Sequence, residues 1–146
     1  DSSSSITRLL DLGIPAFLIQ STLTGIVAQR LVRNICKHCK EPFETDHEKL
    51  KEMGIAVPLK GSIKLFRGAG CLRCRNTGYY GRTAIFEVLP YSESLKKMTT
   101  ADVNSVSLRK MAIDEGLVAL RENAIKKLLD GVTTCEEVLR VTFEQG

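Results

Sequence analysis

Two short cysteine pairs, Cys36-Lys37-His38-Cys39 and Cys71-Leu72-Arg73-Cys74, constrain this chain more than any other feature. A turn of C-x-x-C length aims both sulfurs at one point. Two such turns brought together make a tetrahedral S₄ site, the geometry that suits Zn²⁺. The intervening chain, Lys40 to Gly70, is long enough to fold back as a small subdomain. The expected metal ligands are therefore Cys36, Cys39, Cys71 and Cys74, with zinc in a structural role. Three other chemistries use the same residues. Two disulfides would be kept reduced inside a cell. Iron takes the same S₄ set. A redox-active C-x-x-C needs only one pair, with a low-pKa thiol at a helix start, and neither Cys36 nor Cys71 is marked as one. His38 reads as a polar turn residue, because four thiolates already fill the site.

Composition narrows the function classes. The chain has 146 residues, enough for one domain or two small ones, and its hydrophobic fraction of 43% and charged fraction of 26% suit a globular protein. No apolar run reaches the ~20 residues of a membrane span, and no basic-then-apolar leader opens the chain. Five cysteines, four of them in paired motifs, fit a reducing compartment, and Cys135 reads as a free, partly buried thiol. The net charge is +4, and basic residues gather near the pairs: Arg30, Arg33, Lys37, Lys40, Arg67, Arg73, Arg75 and Arg82. They imply either an anionic partner, nucleic acid or acidic lipid, or local neutralisation of a zinc–tetrathiolate whose net charge is about −2. No G-x-x-x-x-G-K-[S/T] phosphate loop is present, and no nucleophile–base arrangement is visible around either histidine. A four-thiolate zinc has no open position, so the residues point to a non-catalytic, metal-stapled module.

Along the chain, Ser4 or Ser5 can cap a first helix carrying Ile6, Leu9 and Leu10, with Gly13 as its stop. Pro15 suits the first turn of a second helix, and the apolar stretch Ala16 to about Leu31 predicts that this helix is long and buried on most sides. Leu31, Val32 and Ile35 lead into the first cysteine turn as a short extended segment. Thr45-x-x-Glu48 reads as a capping box for a short helix with Leu50 and Met53, closed by Gly54. Ile63–Arg67 and Thr83–Leu89 predict strands; the second is apolar on both faces apart from Glu87. Four helices follow: one from Ser92 or Ser94, one through Leu108 to Gly116, one through Leu128 to Gly131, and one capped by Thr133 or Thr134 with Thr134-x-x-Glu137 as a box. The expected class is α+β, with an apolar helix first, then a zinc-knuckle subdomain with short strands, then a small helical bundle. The expected division is residues 1–35, 36–90 and 91–146.

These motifs carry a resemblance. Ile6-Thr7-Arg8-Leu9 with Asp11-Leu12-Gly13-Ile14-Pro15, then Gln29-Arg30-Leu31-Val32-Arg33 leading to Cys36-x-x-Cys39-Lys40, resemble the C-terminal part of the secretion ATPases of the type II secretion and type IV pilus assembly class. So do Gly70-Cys71-x-x-Cys74 with Thr77-Gly78-Tyr79-x-Gly81-Arg82-Thr83 and Ile85-Phe86-Glu87, and Gly131-x-Thr133-Thr134-x-Glu136-Glu137-Val138-Leu139-Arg140-Val141. The likeness covers essentially the whole chain. Asp1–Ser5 fits it loosely, and Cys135 stands where the family pattern expects Leu or Ser, so it receives no metal role.

The resemblance implies a parent that hydrolyses ATP with Mg²⁺ in a hexameric ring to drive pseudopilus or pilus assembly. That parent would sit on the cytoplasmic face of a bacterial inner membrane, against platform proteins and possible acidic lipid. The family's Walker and histidine-box residues have no match here and are expected upstream, so no catalytic or nucleotide-binding residue is assigned and this stretch is not expected to be an enzyme by itself. The apolar Ala16–Leu31 stretch would then rest on a missing nucleotide-binding sheet, and the isolated chain is expected to self-associate or repack it. The alternative class is a nucleic-acid-binding zinc ribbon using the basic residues with Phe66, Tyr79 and Tyr80. The aromatic fraction of 5% and the glycine-turn setting of the tyrosines count against it.

Overall fold

The computed structural model describes residues 1–143. It is a mixed α and β fold of seven helices and four strands among these residues. In chain order they are α1 (Ser2–Asp11), α2 (Ala16–Thr22), β1 (Gly25–Ile35), β2 (Lys40–Asp46), α3 (His47–Glu52), β3 (Ser62–Gly68), β4 (Tyr79–Pro90), α4 (Glu93–Met98), α5 (Ser105–Asp114), α6 (Leu120–Leu129) and α7 (Cys135–Thr142). Strand β1 pairs with β4, and β2 pairs with β3. Internal contacts divide the chain into two compact units, Asp1–Gln29 with Phe86–Leu120, and Arg30–Ile85 with Arg121–Gly146. This division does not follow sequence order: α4 and α5 belong with the N-terminal helices, while α6 and α7 belong with the cysteine segment.

The first unit is built on an apolar cluster of Ile6, Ile19, Leu89, Tyr91, Leu95, Leu108, Ala112 and Leu117. Helix α1 supplies Ile6 from one face and stops at Gly13, whose φ of 87° is the left-handed conformation a side chain disfavours. The Gly13 N–H bonds the Leu10 carbonyl and the Ile14 N–H bonds the Leu9 carbonyl, the paired closure of a helix C-terminus. The same pair of bonds closes the helices at Gly54, Gly116 and Gly131, the stops expected from the sequence. The cap of α1 is Asp1, not Ser4 or Ser5: its carboxylate accepts from the Ser4 N–H at 2.8 Å while the Ser4 hydroxyl donates back to the Asp1 carbonyl. A carboxylate at this position satisfies a free amide and meets the positive end of the helix dipole. Glu87 is fully buried in this unit. It accepts from the Ser2 N–H (3.0 Å) and hydroxyl, from the Leu120 N–H (3.1 Å) and from Arg109 (3.4 Å). Burial pushes its carboxyl up, but these donors together hold it below the ordinary value.

The long second helix does not form. Helix α2 ends at Thr22, and Gly25 begins β1. Thr22, Thr24 and Gly25 are poor helix formers, and Ile26, Val27, Val32 and Ile35 are β-branched. Pairing with β4 then decides the matter. A Cβ at Gly25 would lie 3.2 Å from the Leu89 carbonyl oxygen, and the Tyr91 N–H bonds the Thr24 carbonyl at 3.0 Å.

In the second unit, β2 and β3 pair antiparallel with Lys40 opposite Gly68, Phe43 opposite Leu65 and Asp46 opposite Ser62. Strand β2 was not expected, since Lys40-Glu41-Pro42-Phe43-Glu44 is charged and holds a proline; a two-stranded sheet leaves Pro42 on an edge, where its missing N–H is tolerated. The cap of α3 is Asp46 rather than Thr45, with its carboxylate accepting from the Lys49 N–H at 2.8 Å. Leu50, Ile55, Ile63 and Leu65 are buried around this hairpin, and Ala124, Leu128 and Val138 are buried on α6 and α7.

Candidate metal centre

The two cysteine turns are tied together by backbone before any side chain is considered. The Ala69 N–H bonds the Cys39 carbonyl at 3.0 Å and the Cys36 N–H bonds the Gly78 carbonyl at 2.9 Å. Gly68 and Gly78 lie so close that a Cβ on Gly68 would overlap the Gly78 carbonyl, so this crossing admits only glycine. After Cys74 the chain takes the left-handed conformation at Arg75 (φ 54°), Asn76 (φ 61°) and Gly78 (φ 77°). This reversal brings the Asn76 N–H to the Cys71 carbonyl at 2.8 Å and turns the Gly78 N–H back onto the Cys74 sulfur at 3.2 Å. Thr77 holds the bend, its hydroxyl donating to the Cys74 carbonyl at 2.6 Å and accepting from the Tyr79 N–H at 3.2 Å.

The sulfurs of Cys36, Cys39, Cys71 and Cys74 all lie within 4.8 Å of one another. Cys36 Sγ is 3.8 Å from Cys71 Sγ, Cys39 Sγ is 3.8 Å from Cys74 Sγ, and Cys71 Sγ is 3.7 Å from Cys74 Sγ. A tetrahedron with metal–sulfur bonds of ~2.3 Å has edges of about 3.8 Å. The four sulfurs therefore stand where a tetrahedral ion would need them, and all are free thiols rather than disulfides. Cys36 and Cys74 are buried, and Cys39 and Cys71 half-buried. Backbone N–H groups point at the sulfurs: Gly70 on Cys39 at 3.3 Å, and Cys71 and Gly78 on Cys74 at 3.3 and 3.2 Å. Such donors favour the thiolate. Desolvation raises the Cys74 thiol, but the Cys71 and Gly78 N–H groups and the neighbouring cysteines outweigh it and bring the value down to about 6. Cys39 is pushed up to about 12, first by desolvation, with Gly70 opposing. Filling the cluster with a cation releases whatever protons its sulfurs carry.

A second set of residues anchors the turns to α7. The Glu137 carboxylate is fully buried and accepts from the Arg33 backbone N–H (2.8 Å), Arg33 Nε (2.9 Å) and Arg140 (2.7 Å). Burial pushes this carboxyl up, yet Arg140 and Arg33 together hold it at about 2. The Arg33 guanidinium also lies 4.0 Å from the centre of the Tyr79 ring, and the Tyr79 hydroxyl bonds the Thr134 hydroxyl at 2.6 Å. Lys40 donates to the Gly131 carbonyl at 2.6 Å and stands 4.5 Å from the Phe66 ring. Arg67 pairs with Glu41 at 3.0 Å. Three of the basic residues singled out by position, Arg33, Lys40 and Arg67, are thus paired with groups of the chain itself while staying exposed, and the donors found at Cys39 and Cys74 are backbone amides.

Sequence reasoning assigned Glu137 to a capping box. The structure forms half of it: the Glu137 N–H donates to Thr134 Oγ1 at 3.3 Å, but the carboxylate goes to the arginines. The i,i+3 spacing of Glu137 and Arg140 was the available signal. His38 is exposed and lies outside the sulfur cluster; Cys135 also lies outside it and is buried on α7. The Cys135 thiol is pushed up to about 11, first by burial and then by Glu136. Among the described residues no helix is long and apolar enough to cross a membrane.

The sequence pattern of the family described as "Type II/IV secretion system protein" matches residues 1–140. The chain is 38% identical over 144 residues to the type IV pilus assembly ATPase PilB of Thermus thermophilus, covering 99% of the chain and 16% of that protein. It is 39% identical over 140 residues to the type II secretion system ATPase E of Vibrio cholerae, covering 96% of the chain and 27% of that protein. The type IV pilus assembly ATPase TfpB of Acinetobacter baylyi is 39% identical over 141 residues, 97% of the chain and 24% of that protein. The chain therefore spans about a sixth to a quarter of the length of these relatives. The pattern match across residues 1–140, together with the convergent tetracysteine cluster, places this chain in the type II/IV secretion system protein family.

Proposed function

We propose that Cys36, Cys39, Cys71 and Cys74 hold one structural Zn²⁺, and that the chain serves as the metal-stapled structural and interaction module of a secretion or pilus-assembly motor. The observation that carries the metal reading is the convergence of four sulfurs within 4.8 Å of one another, three of their six separations being 3.7–3.8 Å, the edge of a zinc–tetrathiolate tetrahedron. Four thiolates leave zinc no open position, so the ion supplies a cross-link and no Lewis-acid chemistry. The chain's own residues do the rest. The Gly70, Cys71 and Gly78 amides neutralise the thiolates, Gly68 and Gly78 let the two turns cross, and Arg33 with Glu137 ties the stapled turns to α7.

The motor assignment rests on the relatives, which are named as ATPases of type IV pilus assembly and type II secretion. In such a parent the nucleotide chemistry belongs to other residues. This module would present a fixed surface to neighbouring subunits of a ring or to the platform proteins of the cytoplasmic membrane face, so that motion elsewhere is passed on without being absorbed. Metal content per chain tests the staple. One zinc per chain with only Cys135 titrating as a free thiol is expected; absence of metal together with oxidised Cys36/Cys39 and Cys71/Cys74 pairs would remove it. Secretion or piliation that persists after replacement of Cys71 and Cys74 in the full-length parent would remove the motor role.

A further inference from the structure

We infer that Thr77, which is not a ligand, is the positioning residue of the metal centre: its hydroxyl holds the bend that aims the Gly78 N–H at the Cys74 sulfur, and so sets how tightly the four cysteines hold a cation. The assignment rests on the tetracysteine reading proposed above. The sulfurs are not equally supported by the backbone. Cys74 accepts from two amides, Cys71 at 3.3 Å and Gly78 at 3.2 Å, and Cys39 accepts from one, Gly70 at 3.3 Å. The Cys71 amide is supplied from within the C-x-x-C turn. The Gly78 amide comes from beyond it, and reaches the sulfur only because the chain reverses after Cys74.

That reversal has to be held. Arg75 (φ 54°) and Asn76 (φ 61°) are left-handed in succession, a conformation that side chains disfavour and that non-glycine residues adopt singly rather than in runs. The Asn76 N–H on the Cys71 carbonyl at 2.8 Å and the Thr77 N–H on the Cys74 carbonyl at 3.2 Å supply part of the hold. The Thr77 hydroxyl supplies the rest. Two carbonyls lie within its reach, Cys74 at 2.6 Å and Tyr79 at 3.0 Å, and its one proton goes to the nearer. Its oxygen accepts from the Tyr79 N–H at 3.2 Å. The hydroxyl thus joins a residue before the bend to a residue after it, with Gly78 fixed between them. Only a hydroxyl puts a donor and an acceptor on one atom: valine has the same shape and neither function, and serine has both. Thr77 is exposed, so valine there opens no hole in the core. What is lost is the aim of one N–H at one sulfur. A hydrogen bond to the charged form favours the thiolate, and losing an outer partner of a metal ligand typically costs about 10–100-fold in metal affinity.

The test is competition for zinc between the chain and a chromogenic chelator, with cobalt(II) as a spectroscopic probe of the same four sulfurs. Thr77→Val should weaken zinc binding by about tenfold or more, and should shift the sulfur-to-cobalt charge-transfer band of the fully loaded protein. Thr77→Ser keeps both hydrogen bonds and should bring affinity and band back to within about twofold of wild type. Thr99→Val is the control. The Thr99 hydroxyl also donates to one carbonyl, Leu95 at 2.8 Å, and accepts from one donor, the Tyr91 hydroxyl at 2.7 Å, but it lies in the first unit. Its loss should lower the urea midpoint while leaving zinc affinity within about twofold and the cobalt band in place. Wild-type zinc affinity in Thr77→Val, an unmoved cobalt band, no recovery with serine, or equal weakening by Thr99→Val would each overturn the assignment and leave the staple standing. A wild-type chain that takes up neither zinc nor cobalt would overturn the staple and this assignment together.

Discussion

Glu137 shows how much a single buried side chain decides here. The sequence marked it only as the last residue of a capping box, yet it joins β1 to α7 through Arg33 and Arg140. Removing its charge leaves both arginines, which are about half exposed, free to return to water, so the cost falls on lost hydrogen bonds rather than stranded cations. Glu137→Gln should therefore lower stability by about 1–2 kcal/mol, read as the shift of a urea midpoint. The pH dependence has a definite sign. The folded-state carboxyl sits at about 2, below its ordinary 4.5, so the folded form binds this proton more weakly than the unfolded one. The stabilisation is complete above the unfolded value and is lost as pH falls from about 4.5 towards about 2. The stability difference between wild type and Glu137→Gln should narrow over that window; a difference that stays constant down to pH 2 would contradict the assignment. At Gly68 the constraint is steric. Gly68→Ala forces a Cβ onto the Gly78 carbonyl and should cost about 1–3 kcal/mol and loosen metal binding, measured by competition with a chromogenic chelator.

At the scale of elements, the cysteine turns and the β2–β3 hairpin between them form one closed loop of chain. The hairpin is short, two-stranded and charged on one strand, the kind of sheet that is marginal by itself. Its persistence then depends on what closes its ends. Chelation of the metal, or Cys71→Ser, should raise amide hydrogen exchange across β2, α3, β3 and the turns while α1 and α5, built on the Ile6–Leu108 cluster of the other unit, keep their protection. Uniform loss of protection in both units would show that the staple supports the whole chain instead. The elements also show where sequence pattern suffices. Gly13, Gly54, Gly116 and Gly131 each close a helix as expected, because a left-handed C′ residue is a local requirement. Strand β1 was hidden for the opposite reason. An apolar run has no period that separates a buried helix from a strand, and the Gly25–Leu89 contact that settles it lies far away in sequence.

For the whole molecule, the relevant surface is apolar as well as basic. Leu12 (73% exposed), Phe17 (65%) and Leu18 (42%) stand close together in sequence at the end of α1 and on α2. Such a cluster is a natural interface. With the chain covering 16–27% of the relatives compared, a longer parent has ample additional residues to cover it. The chain by itself is expected to self-associate through this face. Phe17→Lys should reduce the concentration dependence of its sedimentation; an unchanged, concentration-independent monomer for wild type would remove the expectation.

The sequence by itself determined the tetracysteine set, the helix stops and the family. Each depends on residue identity at short spacing, and spacing survives whatever the rest of the chain does. Only the tertiary structure decided that Ala16–Leu31 splits into α2 and β1, that charged β2 is a strand, and that Arg33, Lys40 and Arg67 find partners on Glu137, the Gly131 carbonyl and Glu41. The physical reason is common to all three. A strand needs a partner and a charge needs a counter-group, and here those partners stand tens of residues away, where no local pattern records them.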